Sequence, residues 1–338
     1  MAHVPGWIAR RAVIAAALLA LAQSAAHANP DVIVTIKPLH GLTTAIMEGV
    51  AIPHLLMDGG ASPHTYAMKP SDVRRLNKAQ VIVRVSKQLE VFLEKPLSLV
   101  SKATRIVTVD EGTPGLTLLP LRDGDDFEAH AHDSPGTPKH SHTHGHSHGP
   151  HRHEPHAHAH AEAEAAHDTH LWLDPRNAKA IVRHLTDVLA EAFPADAATL
   201  RKNGERTVKR LDSLDTTLAA ELAQLADRRF LVFHDAYQYF ERRYRLAVAG
   251  SVTINPEVPP SARRLSEIRS RIAKLGVACV FAEPQFAPRI IDAIVENTEI
   301  RQGTLDPLGA SIAAGPAHYI SLMEGLARDL KACLGGTG

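Results

Sequence analysis

The chain has 338 residues, and its 37 Lys and Arg balance its 37 Asp and Glu, so the formal net charge at pH 7 is zero. This balance argues against nucleic acid as the main partner, because a phosphate-binding surface leaves an excess of basic residues. The length predicts about two domains, and the one outlier in the composition, 22 histidines, indicates metal binding.

The first 28 residues have the pattern of a secretory signal peptide. Arg10 and Arg11 precede an apolar run over residues 12–22, and Ala26-His27-Ala28 fits the small-x-small cleavage pattern. The apolar run is too short to span about 30 Å of hydrocarbon, so we expect no permanent membrane helix. The sequence therefore predicts a secreted protein whose mature chain starts at Asn29.

Short β-branched runs alternate with helical patterns in both halves of the mature chain. The predicted strands cover residues 32–36, 81–85, 105–109, 230–234, 247–252 and 277–282. Strands that alternate with helices imply parallel sheets, and two such sets imply two lobes. We therefore predict an α/β fold with two similar lobes, residues 29–195 and 227–338, each a parallel sheet flanked by helices.

One long helix is predicted between the lobes, over residues 196–226. Its apolar residues recur at steps of three and four and form a single stripe: Val208, Leu211, Leu214, Leu218, Leu222 and Leu225. At 1.5 Å per residue the helix would be about 46 Å long, comparable to a whole two-lobed molecule. The alternative is two shorter helices that break near Gly204.

Residues 124–168 differ from both lobes, because they hold 13 histidines and almost no large apolar side chains. Such a segment cannot bury enough surface to offset its ordering entropy, so we predict a disordered loop. Its histidines are unfixed in space, and we therefore expect several metal sites in this segment that are weaker than one preorganised site.

The chain has two cysteines, Cys279 and Cys333. In an oxidising compartment this lone pair predicts one disulfide. Closing the loop between them would stabilise the fold by about 4 kcal/mol in the chain-entropy formula. The alternative is two separate buried thiols.

Seven histidines lie outside the leader and the histidine-rich segment. Four of them occupy ordinary helix or loop positions, and we expect structural roles for them: His40, His54, His184 and His318.

The other three histidines have richer surroundings. His64 lies in a turn-rich loop, His170 lies where the polar segment returns to ordered structure, and His234 ends a buried strand. A histidine at the carboxyl end of a parallel strand faces the crevice where α/β proteins bind ligands. Asp306 follows a fourth candidate strand of the second lobe in the same way.

Five motifs resemble one known family, the cluster A-I solute-binding proteins of ABC transporters, and more narrowly its ZnuA-type periplasmic zinc-binding members. In chain order they are GASPHTYAMKPSD at residues 60–72, HLWLDP at 170–175, FHDAYQYFE at 233–241, FAEPQF at 281–286 and GTLDPLG at 303–309. The resemblance runs through essentially the whole mature chain. The histidine-rich insertion and the cysteine pair also match this subgroup.

The resemblance implies two α/β lobes joined by one long helix, with the metal held between the lobes. It implies metal ligands from His64 and His170 in the first lobe and from His234 and Asp306 in the second. The protein would then be a periplasmic monomer that captures Zn²⁺ and delivers it to the permease of an ABC transporter.

The chemistry of the ligands independently favours zinc. Three neutral imidazoles suit tetrahedral zinc, whereas manganese prefers more oxygen ligands, and manganese-binding relatives typically have a carboxylate where His234 stands. The fourth ligand stays open between Asp306 and a water molecule with Asp306 behind it. Some zinc-binding relatives have a glutamate immediately before the first histidine, but this chain has Pro63 there.

Two other function classes compete with transport. Three histidines and a water are also the ligand set of a catalytic zinc in a hydrolase, for which Glu283 is the best candidate base. A zinc store or adhesin is the other alternative. Because no motif supplies a substrate pocket or a general base, we expect a transport protein rather than an enzyme.

Overall fold

The computed structural model describes residues 29–122, 166–253, 256, 260–286 and 289–335. The predicted signal peptide and nearly all of the predicted histidine-rich loop lie outside these residues. None of the helices in the described ranges is long and apolar enough to cross a membrane.

The first lobe is a parallel sheet of four strands, ordered β2-β1-β3-β4. The strands are β1 (Val32–Val34), β2 (His54–Leu55), β3 (Val81–Arg84) and β4 (Arg105–Thr108). The helices around the sheet are α1 (Lys37–Ile46), α2 (Pro70–Leu76), α3 (Glu94–Leu97) and α4 (Pro175–Ala192). Every residue of β1 and β3 is buried, as expected for central strands of a parallel sheet with both faces covered.

The second lobe repeats this arrangement, with the strand order β6-β5-β7-β8. Its strands are β5 (Phe230–His234), β6 (Val248–Thr253), β7 (Cys279–Ala282) and β8 (Arg301–Thr304). Its helices are α6 (Gln238–Tyr244), α7 (Ala262–Leu275), α8 (Arg289–Val295) and α9 (His318–Leu334). The prediction of two similar α/β lobes with parallel sheets is confirmed.

A long helix lies between the lobes, as predicted. Helix α5 covers Ala197–Leu222 and continues as a 3₁₀ turn over Ala223–Leu225. The alternative break near Gly204 is wrong, because this glycine lies inside the helix. A Cβ at residue 204 would lie 2.2 Å from Thr186 Oγ1 on α4, so the glycine permits close packing of the two helices.

The second lobe contains the predicted disulfide between Cys279 and Cys333. It joins the start of β7 to the last turn of α9, and both cysteines are buried. The C-terminal helix is thereby tied to a central strand of the sheet.

The end of the histidine-rich segment belongs to the first lobe. His167 forms a β-bridge with Pro120, and its Nε2 lies 3.0 Å from Asp110 Oδ2. The backbone N–H of Asp168 donates to the carbonyl of Leu119. These pairings hold residues 166–168, the described end of the predicted loop, against residues 119–121 of the first lobe.

Candidate metal centre

His170 is held by a carboxylate two residues before it. It precedes a 3₁₀ turn (Leu171–Leu173) that leads into α4, and it is buried. Asp168 Oδ1 accepts hydrogen bonds from both the backbone N–H of His170 at 2.9 Å and its Nδ1 at 2.8 Å. Because a carboxylate only accepts, the proton sits on Nδ1, and the Nε2 lone pair is free to bind a cation.

His234 is oriented in the same way in the second lobe. It is the last residue of β5 and is buried, and its Nδ1 donates to Glu283 Oε1 at 2.7 Å. Glu283 lies just beyond the end of the neighbouring strand β7, so the parallel register brings the two side chains together. The Nε2 atom of His234 thus also presents a lone pair.

The two Nε2 atoms lie 3.3 Å apart. With both protons on Nδ1, the lone pairs face each other and repel, and a cation between them removes the repulsion. Two imidazole nitrogens on one tetrahedral zinc, each bound at 2.0–2.1 Å, are separated by about 3.3–3.4 Å. The spacing of the pair is therefore that of two ligands of a single zinc.

His64 completes a group of three. It lies in the loop between β2 and α2, where its backbone N–H donates to Ser62 Oγ at 3.2 Å. Its ring centroid is 5.7 Å from that of His170 and 5.9 Å from that of His234. One nitrogen from each of the three rings lies within 4.8 Å of the others. Unlike its two partners, His64 is an exposed residue.

The charges at the site favour neutral His64 and a proton or metal at His234. Although the residue as a whole is exposed, the His64 ring lines the cavity shared with His170 and His234. Desolvation of the ring there and the two neighbouring imidazoles lower the pKa of His64. Burial also opposes a charge on His234, but the Glu283 carboxylate and its hydrogen bond raise the pKa of His234 overall. A metal ion must therefore displace a proton at His234 more than at His64.

Asp306, the fourth ligand predicted by resemblance, makes different contacts. Its Oδ1 accepts from the backbone N–H groups of Leu308 and Gly309, each at 3.0 Å, and from Gln285 Nε2 at 2.8 Å. Its Oδ2 accepts from the backbone N–H of Ala310. Among the described residues, the group that could hold a metal contains the three histidines and does not include Asp306.

Several polar contacts tie the lobes together around the histidines. Arg122 of the first lobe pairs with Asp235 and with Glu241, the latter at 2.7 Å. Lys37, at the start of α1, donates to the carbonyls of Ala310 and Ile312 in the second lobe. The geometry of the site therefore depends on how the lobes are held against each other.

The four histidines for which we expected structural roles lie apart from this group. His40 contacts the Pro53 carbonyl, His54 contacts Arg75, and His318 contacts the Leu308 carbonyl. His184 is half-buried on α4.

The sequence did not identify the carboxylates that orient the ligands. The sequence indicated Glu283 only as a candidate base of a hydrolase, and it assigned no role to Asp168 or Gln285. For Asp168 the signal was present, because it lies two residues before a candidate ligand. The 49-residue separation of His234 and Glu283 leaves no comparable local signal.

Comparisons with known proteins agree with this arrangement. A family model described as "ZnuA: Zinc-uptake complex component A periplasmic" matches residues 32–333. The high-affinity zinc uptake system protein ZnuA of Brucella abortus is 44% identical over 313 residues, covering 92% of this chain and 93% of that protein. The Yersinia pestis protein of the same name is 35% identical, covering 99% of this chain and 100% of that protein.

The fold also matches a solved structure. A crystal structure of ZnuA superposes with a TM-score of 0.72 at 22% identity, covering 91% of this chain and all of that one.

Proposed function

Because the chain belongs to the ZnuA family of periplasmic zinc-uptake components, we propose that it captures Zn²⁺ with His64, His170 and His234 and delivers it to the permease of an ABC transporter. The single observation that supports this site most strongly is the 3.3 Å separation of two buried Nε2 atoms whose Nδ1 atoms both face carboxylates.

Capture follows from the division of the ligands between the lobes. Residues of the first lobe supply two imidazoles and a residue of the second lobe supplies the third, so zinc binding favours the arrangement that brings the lobes together. The contacts of Arg122 and Lys37 across the interface favour the same arrangement. Delivery then requires that the permease bind a conformation in which zinc is held less tightly.

Zinc is favoured over manganese by the ligand chemistry. Three nitrogen ligands and no carboxylate among them suit zinc, whereas manganese prefers oxygen. Of the two options for the fourth ligand, the contacts of Asp306 favour a water molecule, because that carboxylate already accepts four hydrogen bonds.

The family assignment also decides between function classes. The family is one of solute-binding transport components and not of enzymes. Glu283, the candidate base of the hydrolase alternative, accepts a hydrogen bond from His234 and serves to orient this ligand. The hydrolase alternative therefore has no support.

The remaining parts of the proposal concern the whole chain. We include in it a cleaved signal peptide over residues 1–28 and a monomeric state in the periplasm. The proposed divisions of the mature chain are a first lobe over 29–195 with a histidine-rich loop that binds further zinc ions, a linking helix over 196–226 and a second lobe over 227–338.

Zinc competition with a chelator tests the site. We expect about one tight zinc per protein after deletion of residues 124–165, and several additional weaker ions with the full-length chain. If the deletion removes the tightest binding event, the histidine-rich segment holds the main ligands and the proposed site is wrong. Affinity should fall as the pH drops, and the fall should begin above about 6.5, because the ligand imidazoles must be neutral and Glu283 raises the pKa of His234 above the ordinary value of an imidazole.

A further inference from the structure

The amide of Gln285 has a fixed orientation. Gln285 follows β7 by three residues, and its Nε2 lies 2.8 Å from Asp306 Oδ1. Since a carboxylate accepts hydrogen bonds and cannot donate them, the NH₂ group must face Asp306. The amide oxygen, Oε1, consequently points away from that carboxylate.

This amide oxygen is a buried acceptor without a donor in the described part of the chain. Leaving a buried amide oxygen unpaired is unfavourable by about 1–3 kcal/mol. Gln285 lines the same cavity as His64, His170 and His234. The cavity that holds the candidate zinc ligands is therefore bordered by a group that needs a hydrogen-bond donor.

The carboxylates near the zinc position have other partners. Asp168 and Glu283 each accept the Nδ1–H of a histidine through one oxygen, and Asp306 holds the loop that follows β8 through three backbone N–H groups. The second oxygen of Glu283, Oε2, is also a buried acceptor without a donor among the described residues, but Glu283 is engaged with His234, whereas no histidine contacts the Gln285 amide in this part of the chain. Three imidazoles leave one position open on a tetrahedral zinc. A water molecule in that position is a strong donor, because the metal polarises its O–H bonds.

We propose that Gln285 holds a water molecule as the fourth zinc ligand by accepting its hydrogen bond at Oε1, with Asp306 acting as the positioning residue that orients the amide. This inference rests on the proposed three-histidine site. It gives Asp306 a role behind Gln285 instead of a place among the ligands.

The arrangement has a consequence for specificity and release. A neutral amide behind a water leaves the site without a carboxylate ligand, which disfavours manganese. A water ligand also exchanges without movement of the protein chain. The protein–zinc bonds that must break on delivery are then the three to the imidazoles.

Electron paramagnetic resonance of the Co²⁺-loaded protein tests the water directly. In buffer enriched in H₂¹⁷O, the resonance of the wild-type protein should broaden, because ¹⁷O is bound to the metal. Absence of broadening in the wild type would overturn the proposal, since the fourth ligand would then come from the protein.

Substitutions test the part played by Gln285. We expect Gln285→Leu to weaken zinc binding by about tenfold, as is typical when a partner of a metal ligand is removed. Gln302→Leu is the matched control, because Gln302 is exposed on β8, and it should leave affinity unchanged. An unchanged affinity of Gln285→Leu would contradict the role of the amide.

Two further variants separate the possible failures. If Asp306→Asn loses far more affinity than Gln285→Leu and the H₂¹⁷O broadening is absent from the wild type, Asp306 is a direct ligand and the inference is wrong, while the three-histidine site stands. If His170→Gln binds zinc as tightly as the wild type, the proposed function itself has been assigned to the wrong residues.

Discussion

The two lobes have the same strand order but hold their candidate zinc ligands differently. His234 of the second lobe ends a central strand, is buried, and is fixed by Glu283, which lies just beyond the end of the neighbouring strand β7. In the first lobe both ligands lie on loops, and only His170 is buried and paired with a carboxylate. His64 is exposed. The site therefore consists of a preorganised pair of ligands, His170 and His234, with one from each lobe, and a third ligand, His64, that is held less firmly.

The largest expected effect comes from removing one ligand of the pair. We predict that His234→Gln weakens zinc binding by roughly 10³-fold, or about 4 kcal/mol, because the buried acceptor Glu283 then faces no metal ligand. His64→Gln should weaken binding by about tenfold. An exposed loop residue loses conformational freedom when it binds zinc, and this cost reduces its net contribution to the binding free energy. Chelator competition measures both values.

The control for this comparison is His184→Gln, which replaces a histidine on α4 remote from the group and should not change affinity. Equal losses for His64→Gln and His234→Gln would show that the exposed and the buried ligands are held equally well.

The lobes also differ in their covalent bonding, because only the second contains the disulfide. Replacing both cysteines by serine should reduce the free energy of unfolding by up to about 4 kcal/mol. Zinc affinity should persist, since neither sulfur belongs to the metal group. Urea denaturation and hydrogen exchange measure the effect, and protection should fall in β7 and α9 more than in β3.

The outcome that would contradict this prediction is a disulfide-free protein with unchanged unfolding or with greatly weakened zinc binding. Mass spectrometry of the wild type without reductant should find no alkylatable thiol.

A buried carboxylate makes the stability of the first lobe depend on pH. Glu90 accepts from Thr35 Oγ1 and from the N–H groups of Val85 and Ser86. Burial raises the pKa of Glu90 to about 7 despite these hydrogen bonds. The folded protein therefore binds a proton that the unfolded chain releases near pH 4.5, so stability falls as the pH rises between these values.

The Glu90 contribution amounts to at most roughly 3 kcal/mol. In Glu90→Gln the loss of stability between pH 5 and 7.5 should be smaller than in the wild type, as measured by urea denaturation at about those two pH values. Glu111→Gln, at an exposed position, serves as control. An identical pH profile in Glu90→Gln and the wild type would refute this assignment.

The smallest effect concerns the carboxylates behind the paired histidines. Asp168→Asn and Glu283→Gln should each weaken zinc binding by about tenfold, because the ring orientation and the Nδ1 proton are less firmly fixed. Asp187→Asn, an exposed α4 residue, should have no effect. If only one of the two variants weakens binding, the carboxylates of the two lobes do not have equivalent roles in orienting their histidines.

Much of the fold could be predicted from local sequence. The β-branched runs at β1, β3, β4 and β5 identified these strands to within two residues, and the leucine stripe identified α5. Strand β2 was missed because two residues, His54 and Leu55, carry no periodic signal.

Part of the site could not be predicted from the sequence, and the reason is physical. The histidines were recognised from motifs, but their partners are set by strand register and by loops that meet across the lobes. The contacts of Asp306 with three backbone N–H groups depend on the conformation of the loop after β8. No pattern of residue types specifies that conformation.

The most direct test of the proposed site is the zinc-edge anomalous difference map of the zinc-loaded protein. We predict one strong peak between the lobes, at about 2.0–2.1 Å from one ring nitrogen of each of His64, His170 and His234. A strongest peak elsewhere, or one bonded to fewer than these three histidines, would contradict it.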